Sequence, residues 1–226
     1  MPPEERFLPR FAAEPPHEEL PYGRWQERLS EEFLAAALQL DSEPADLGRP
    51  SEIRWYPDRS WHGRTYVPAT AETSGGYELF GYVRFVPGGE DGEPSDFYAY
   101  VDFTEETAAR NPDWQLDLCD EVIGVWRGHG RADAKMTLVW GRPLINGGRI
   151  ATAELADLAV DQCELIDDRF TLIAPDDYRH DLLEIKLFGS KGQELTRESL
   201  YDDEDDEDEA DGEDGDDGGP EAGDER

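Results

Sequence analysis

The chain has 226 residues, and 55 of them are Asp or Glu against 21 Lys or Arg, which gives a formal net charge of −34. This charge excludes a generic nucleic-acid binder, because binding to phosphates requires a basic surface. Only two residues are cysteine, which excludes a disulfide-rich scaffold and a cysteine-based zinc site. Aromatic residues make up 11% of the chain, including six Trp, and that share predicts a packed core.

Residues 1–49 are predicted to form a Pro-rich arm followed by an amphipathic helix. The arm has no apolar segment of the kind found in signal peptides. Apolar side chains then recur at helical spacing over Gly23–Leu40, with a later start at Ser30 as the alternative. One face of this helix is formed by Trp25, Leu29, Phe33, Leu34, Ala37 and Leu40.

From residue 50 to residue 201 the period changes to two, which is typical of β-strands. The segments Gly76–Val86 and Asp96–Thr104 are predicted strands joined by a hairpin-length connection. Asp96–Thr104 alternates, so one face is predicted to be core (Phe97, Ala99, Val101, Phe103) and the other more exposed (Tyr98, Tyr100, Asp102). Ten or eleven such strands predict a mainly β fold, an antiparallel β-sandwich or open barrel. A division into two β units near residue 131 is the alternative.

The densest group of chemically capable residues lies in WYPDRSWHGRTY, Trp55–Tyr66. In a catalytic interpretation His62 and Asp58 act as acid and base while Arg64 holds an anion. The favoured interpretation is structural: a bent pair of strands whose Trp side chains pack and whose charged groups, Arg59 among them, face water. His62 has no metal partner at a recognisable spacing, so no metal site is expected.

Aromatic residues at alternate positions of two predicted strands suggest a binding face. Tyr82, Tyr98 and Tyr100, with Phe80, would form a ring platform for a sugar or a protein if that side of the sheet were exposed. The alternative, which we favour, is that the helix or a second sheet covers these rings.

Cys119 and Cys163 are expected to be reduced, unreactive thiols in the core of a cytoplasmic protein. No apolar stretch approaches the length of about 20 residues that a bilayer requires, so no membrane association is expected. Nucleotide-binding and nucleophile motifs are missing, and no cofactor is expected.

Residues 202–226 hold 16 acidic residues and one Arg, a composition that predicts a disordered acidic tail. Such a tail solubilises the protein or attracts a basic protein partner.

Taken together, these features predict a non-catalytic binding or interaction module of β-sandwich type. The two alternatives are an enzyme with a barrel or jelly-roll site built around His62, Asp58 and Arg64, and a sugar-binding module using the face with Tyr82, Tyr98 and Tyr100.

Overall fold

The computed structural model describes residues 19–41, 46–88, 92–127, 133–176 and 182–200, and it confirms a mainly β, antiparallel sandwich preceded by one helix. The predicted acidic tail, residues 202–226, lies outside the described residues, as does most of the Pro-rich arm. In chain order the elements are α1 (Gly23–Ala37), β1 (Arg54–Trp55), β2 (Arg59–Trp61), β3 (Arg64–Glu72), β4 (Glu78–Val86), β5 (Ser95–Thr104), β6 (Leu116–Arg127), β7 (Asp133–Pro143), β8 (Gly148–Leu155), β9 (Leu158–Glu164), β10 (Phe170–Asp176), β11 (Leu183–Gly189) and β12 (Glu194–Ser199).

The helix begins at the predicted residue and ends three residues earlier than predicted, at Ala37. The alternative start at Ser30 is wrong, because Ser30 lies inside the helix and its hydroxyl donates a hydrogen bond of 2.8 Å to the carbonyl of Gln26. Leu29 and Phe33 are fully buried against the first sheet, which makes the predicted apolar face the packing face.

The strands form three antiparallel sheets in the described part of the chain. The first has the order β1-β3-β4-β5, and β2 also pairs with β3. The second has the order β10-β7-β6, and the third has the order β12-β11-β8-β9. Residues 54–104 therefore build the first sheet, and residues 116–199 build the other two.

The helix and the three sheets stack as four layers, with a core between each adjacent pair. Alternate residues of β7 and β10 point to opposite sides, so both faces of the second sheet are buried. Leu138 and Ile173 face the aromatic residues of the first sheet, whereas Val139 and Leu172 face the third sheet. A sheet covered on both faces must be apolar on both, which explains why β10 is buried along its whole length.

A glycine in β6 allows the first two sheets to approach closely. The ring of Trp61 lies against Gly124, where a β-carbon would overlap the ring. The register of β6 with β7 shifts at this point, between Val122 and Gly124, as expected for a β-bulge. The indole is thereby buried in the core between the first and second sheets.

One buried ion pair connects the first sheet to the third. Arg59 of β2 is only 2% exposed, and its guanidinium contacts the carboxylate of Asp161 on β9. The expectation that Arg59 faces water is therefore wrong, because the hairpin containing β2 packs against β10. Asp161 also accepts backbone N–H groups from Ile173 and Gln162, both at 2.9 Å.

This ion pair predicts a large loss of stability when only one partner is neutralised. Asp161→Asn removes the carboxylate charge that contacts the buried Arg59 guanidinium, so we expect the free energy of unfolding to fall by about 3–5 kcal/mol. Glu31→Gln is the control, because Glu31 pairs with Arg28 in solvent and its loss should cost less than about 1 kcal/mol. Urea denaturation measures both, and a loss below about 1 kcal/mol for Asp161→Asn would contradict the structural role.

The turn between β8 and β9 holds two residues in the left-handed region of backbone space. Ala156 has φ 51° and Asp157 has φ 62°, and Leu155 pairs with Leu158 across the turn. Two-residue hairpins of this type favour Gly or Asn, because other side chains are strained there. Asp tolerates this region better than Ala, so Ala156 is the residue that the turn does not favour.

We expect Ala156→Gly to raise the free energy of unfolding by about 0.5–1 kcal/mol, because glycine relieves the strain at positive φ. Ala153→Gly in the neighbouring strand is the matched control. Ala153 is fully buried, so its loss should destabilise the protein by about 1 kcal/mol. Urea denaturation measures both changes. If Ala156→Gly lowered the free energy of unfolding, as Ala153→Gly is expected to do, the turn would not be strained.

Candidate functional site

The three residues of the predicted catalytic group make separate contacts in the structure. His62 lies exposed in the turn between β2 and β3, and its ring stacks on Trp61 with centroids 4.2 Å apart. The carboxylate of Asp58 accepts the N–H of Glu19 at 2.9 Å. Arg64 donates to Asp96 at 3.3 Å. These contacts support the structural interpretation of the segment better than the catalytic one.

The predicted ring platform is not exposed as a unit. Tyr82 is 6% exposed, because its ring lies between the first and second sheets, and the half-buried Tyr100 stacks on it. Tyr98 is 47% exposed, and the guanidinium of Arg84 lies over its ring. The three rings therefore do not form one exposed face: the second sheet covers Tyr82, as the favoured alternative expects, and of the three residues only Tyr98 is exposed.

The opposite face of β5 has the predicted packing. Val101 is buried, and Phe97, Ala99 and Phe103 pack partly buried against the core beneath α1. The prediction of which face of β5 packs against the core is therefore correct. Phe103 remains half-buried rather than fully buried, because β5 is the last strand of its sheet.

A cavity of about 290 Å³ between β4, β5 and β6 collects acidic side chains. Burial raises the pKa of Glu78 and Glu121, and burial together with Asp176 and Glu121 raises the pKa of Asp120 to about 6. Burial also raises the pKa of the Cys119 thiol, so that thiol resists ionisation. Cys163 is buried in the core between the second and third sheets. No disulfide bond joins it to Cys119.

Two further observations concern the described residues. Among them, no group of three or more His, Cys, Asp or Glu side chains has an arrangement that would hold a metal ion. The helix in this part of the chain is too short and too polar to cross a membrane.

A groove of about 500 Å³ runs between α1 and β5. The helix contributes small side chains at Ala35 and Ala36, Leu40 follows beyond the end of the helix, and the strand contributes residues 97–101. No other described strand pairs with the outer edge of β5, so the groove follows an open sheet edge. Open edges carry backbone N–H and C=O groups that can pair with an additional strand.

One hydrogen bond indicates which backbone groups of β5 point into this groove. The N–H of Phe103 donates to the side chain of Asp102 at 2.8 Å. In an antiparallel pair, residues alternate between directing both backbone groups toward the partner strand and directing both away from it. The register between β4 and β5 is continuous from Leu79 to Arg84, so Ala99 and Val101 share the orientation of Phe103.

The edge of β5 is therefore partly blocked and partly open. Asp102 satisfies the outward N–H of Phe103, which blunts that end of the strand. Residues 97–101, which include Ala99 and Val101, line the groove instead. These five residues span about 17 Å, the length of a short peptide strand.

Sequence reasoning missed this groove, although part of its signal was present. The alternation of Asp96–Thr104 predicted the strand, and the helical periodicity predicted α1. The position of β5 at the end of the sheet depends on strand order, which periodicity does not contain.

Comparison of the chain with protein-family models, with curated proteins and with solved structures found no match.

The raised pKa of Asp120 predicts a dependence of stability on pH. The folded-state pKa of about 6 lies above the ordinary value of 3.8, so between these values the folded state binds a proton that the unfolded state does not. This group therefore destabilises the protein as the pH rises through 6. Although its carboxyl group loses part of its hydration in the cavity, Asp120 as a whole residue is exposed, so solvent screening limits its contribution to on the order of 1 kcal/mol.

We expect the free energy of unfolding to be higher at pH 5 than at pH 7.5, and Asp120→Asn to reduce that difference. Asp113→Asn, in the exposed turn before β6, is the control and should leave it unchanged. Urea denaturation at the two pH values measures the effect. If the stability difference between the two pH values were the same in Asp120→Asn as in the unmodified protein, the raised pKa of Asp120 would be contradicted.

Proposed function

We propose that the protein is a non-catalytic binding module that takes up an extended segment of a partner protein as an additional strand along β5. The observation that carries this proposal is the groove beside α1, into which the outward backbone groups of Ala99 and Val101 point. Strand addition obtains affinity from main-chain hydrogen bonds and specificity from alternate side chains. Ala35 and Ala36 leave room for apolar side chains of such a segment on the helix side.

The charge of the chain supports a basic partner. The net charge of −34 attracts cationic segments and repels acidic ones, and residues 202–226 alone hold 16 acidic residues. In this proposal the acidic surface and the tail bring a basic protein to the groove, and backbone pairing at β5 then holds it. We place this activity in the cytoplasm, where thiols such as those of Cys119 and Cys163 stay reduced.

The two alternative functions have less support. A catalytic group of His62, Asp58 and Arg64 requires these side chains to act on one reacting centre, whereas each has its contacts elsewhere. A sugar platform requires exposed rings, whereas Tyr82 is buried.

Selection of a random peptide library on the immobilised full-length protein tests the proposal. We expect enriched peptides to be basic and rich in β-branched residues, and to bind less tightly as salt increases. Ala99→Pro removes one outward N–H without removing a hydrogen bond to β4, and it should weaken a selected peptide about tenfold. Fluorescence polarisation with the synthetic peptide gives the dissociation constants.

A second variant fills the groove from the helix side. Ala35→Phe should weaken the same peptide by about tenfold or more, because the ring occupies the space of a peptide side chain. Leu38→Phe is the control, because Leu38 is exposed outside the groove and should tolerate the change. Peptides that bind Ala99→Pro and Ala35→Phe as tightly as the unmodified protein, or a selection without enrichment, would refute the proposal.

A further inference from the structure

A second cavity of the described residues lies at the opposite edge of the first sheet from β5. It measures about 590 Å³, which is within the range of small-molecule sites, and it lies between β1, β3, the end of β7 and the turn between β9 and β10. Three arginines line it, Arg54, Arg142 and Arg169, although the chain as a whole is strongly acidic.

Two of these arginines have unused hydrogen-bond donors within the described part of the chain. Arg142 donates its Nε to Asp117 at 2.8 Å, and its two Nη groups have no described partner. The nearest carboxylate to Arg54 is Glu72, whose oxygen lies 4.0 Å from Nη2, beyond hydrogen-bond distance. Arg54 and Arg142 are only 34% and 31% exposed, so these donors have limited access to water.

The two guanidiniums come from different sheets, Arg54 from β1 and Arg142 from β7, and both line this one cavity. Arg169 differs from them, because its Nη1 donates to the carbonyl of Trp55 at 2.7 Å. It forms a fixed wall of the cavity, and Arg54 and Arg142 are the groups available to a ligand.

Carboxylates lie farther out in the same cavity. Glu72 is 69% exposed and Asp167 is 73% exposed, so they are more accessible than the two arginines. Asp168 also lines the cavity, beside Asp167 in the turn before β10. A ligand therefore meets negative charges beside the positive ones, which disfavours polyanions such as phosphate.

We infer that this cavity binds a small zwitterion, such as a free amino acid, whose carboxylate lies between Arg54 and Arg142 and whose ammonium group lies toward Glu72 and Asp168. A planar carboxylate matches the paired N–H groups of a guanidinium. The ammonium group compensates the outer carboxylates, which a simple anion cannot do. This site is separate from the groove at β5 and does not depend on its function.

Titration of the full-length protein with four probes, followed by backbone amide shifts in NMR spectra, tests the inference. The probes are glycine, L-glutamine, acetate and inorganic phosphate. We expect glycine or L-glutamine to bind saturably with shifts at Thr70 and Arg142, and acetate and phosphate to bind more weakly. No saturable binding by either amino acid, or tighter binding of acetate or phosphate, would overturn the inference.

Variants then locate the binding site. Arg54→Gln should weaken the amino acid about tenfold or more, and it should leave the fold intact because its guanidinium makes no hydrogen bond within the described residues. Arg142→Gln is only the second variant, because it removes the partner of Asp117 as well as the other guanidinium of the cavity. Arg110→Gln is the matched control, because Arg110 is half exposed and lies outside this cavity. Unchanged affinity in Arg54→Gln would overturn the inference.

Discussion

The second sheet is buried on both faces, and the other layers are arranged around that constraint. With β7 and β10 apolar on alternate sides, the sheet needs one cover on each face, and the first and third sheets supply them. The first sheet in turn needs a cover for its outer face, and α1 supplies it. The buried pair of Arg59 and Asp161 connects the two covering sheets past the edge strand β10.

The acidity of the chain opposes this packing wherever a carboxylate is buried. Each carboxylate near a buried surface loses hydration, and burial accordingly raises the pKa of Glu78, Asp120 and Asp161. Arginines offset the cost at particular points, as Arg142 does for Asp117 and Arg59 for Asp161. Arg59 and Arg142 therefore have structural roles, whereas the donors of Arg54 have no hydrogen-bond partner within the described residues.

Both proposed binding surfaces lie where the layered arrangement ends. The groove exists because β5 has no described neighbour on its outer side while α1 passes close to it. The arginine cavity exists because β1 is only two residues long and leaves space beside β3 and the turn before β10. A strand that ends early or lacks a neighbour leaves polar groups available for a ligand.

Local patterns in the sequence determined the element types, since a period of 3.6 or of two is set by the geometry of one segment. The helix from Gly23, the strand from Ser95 to Thr104 and the two faces of that strand were all predictable in this way. The burial of Tyr82 and of Arg59 was decided only by the tertiary structure. Which layer covers a face, and which charge finds its partner 102 residues away, depends on the order and stacking of sheets. Local periodicity determines neither of them, because the same alternation of residues occurs in a strand whose second face packs against another sheet and in a strand whose second face is exposed to water.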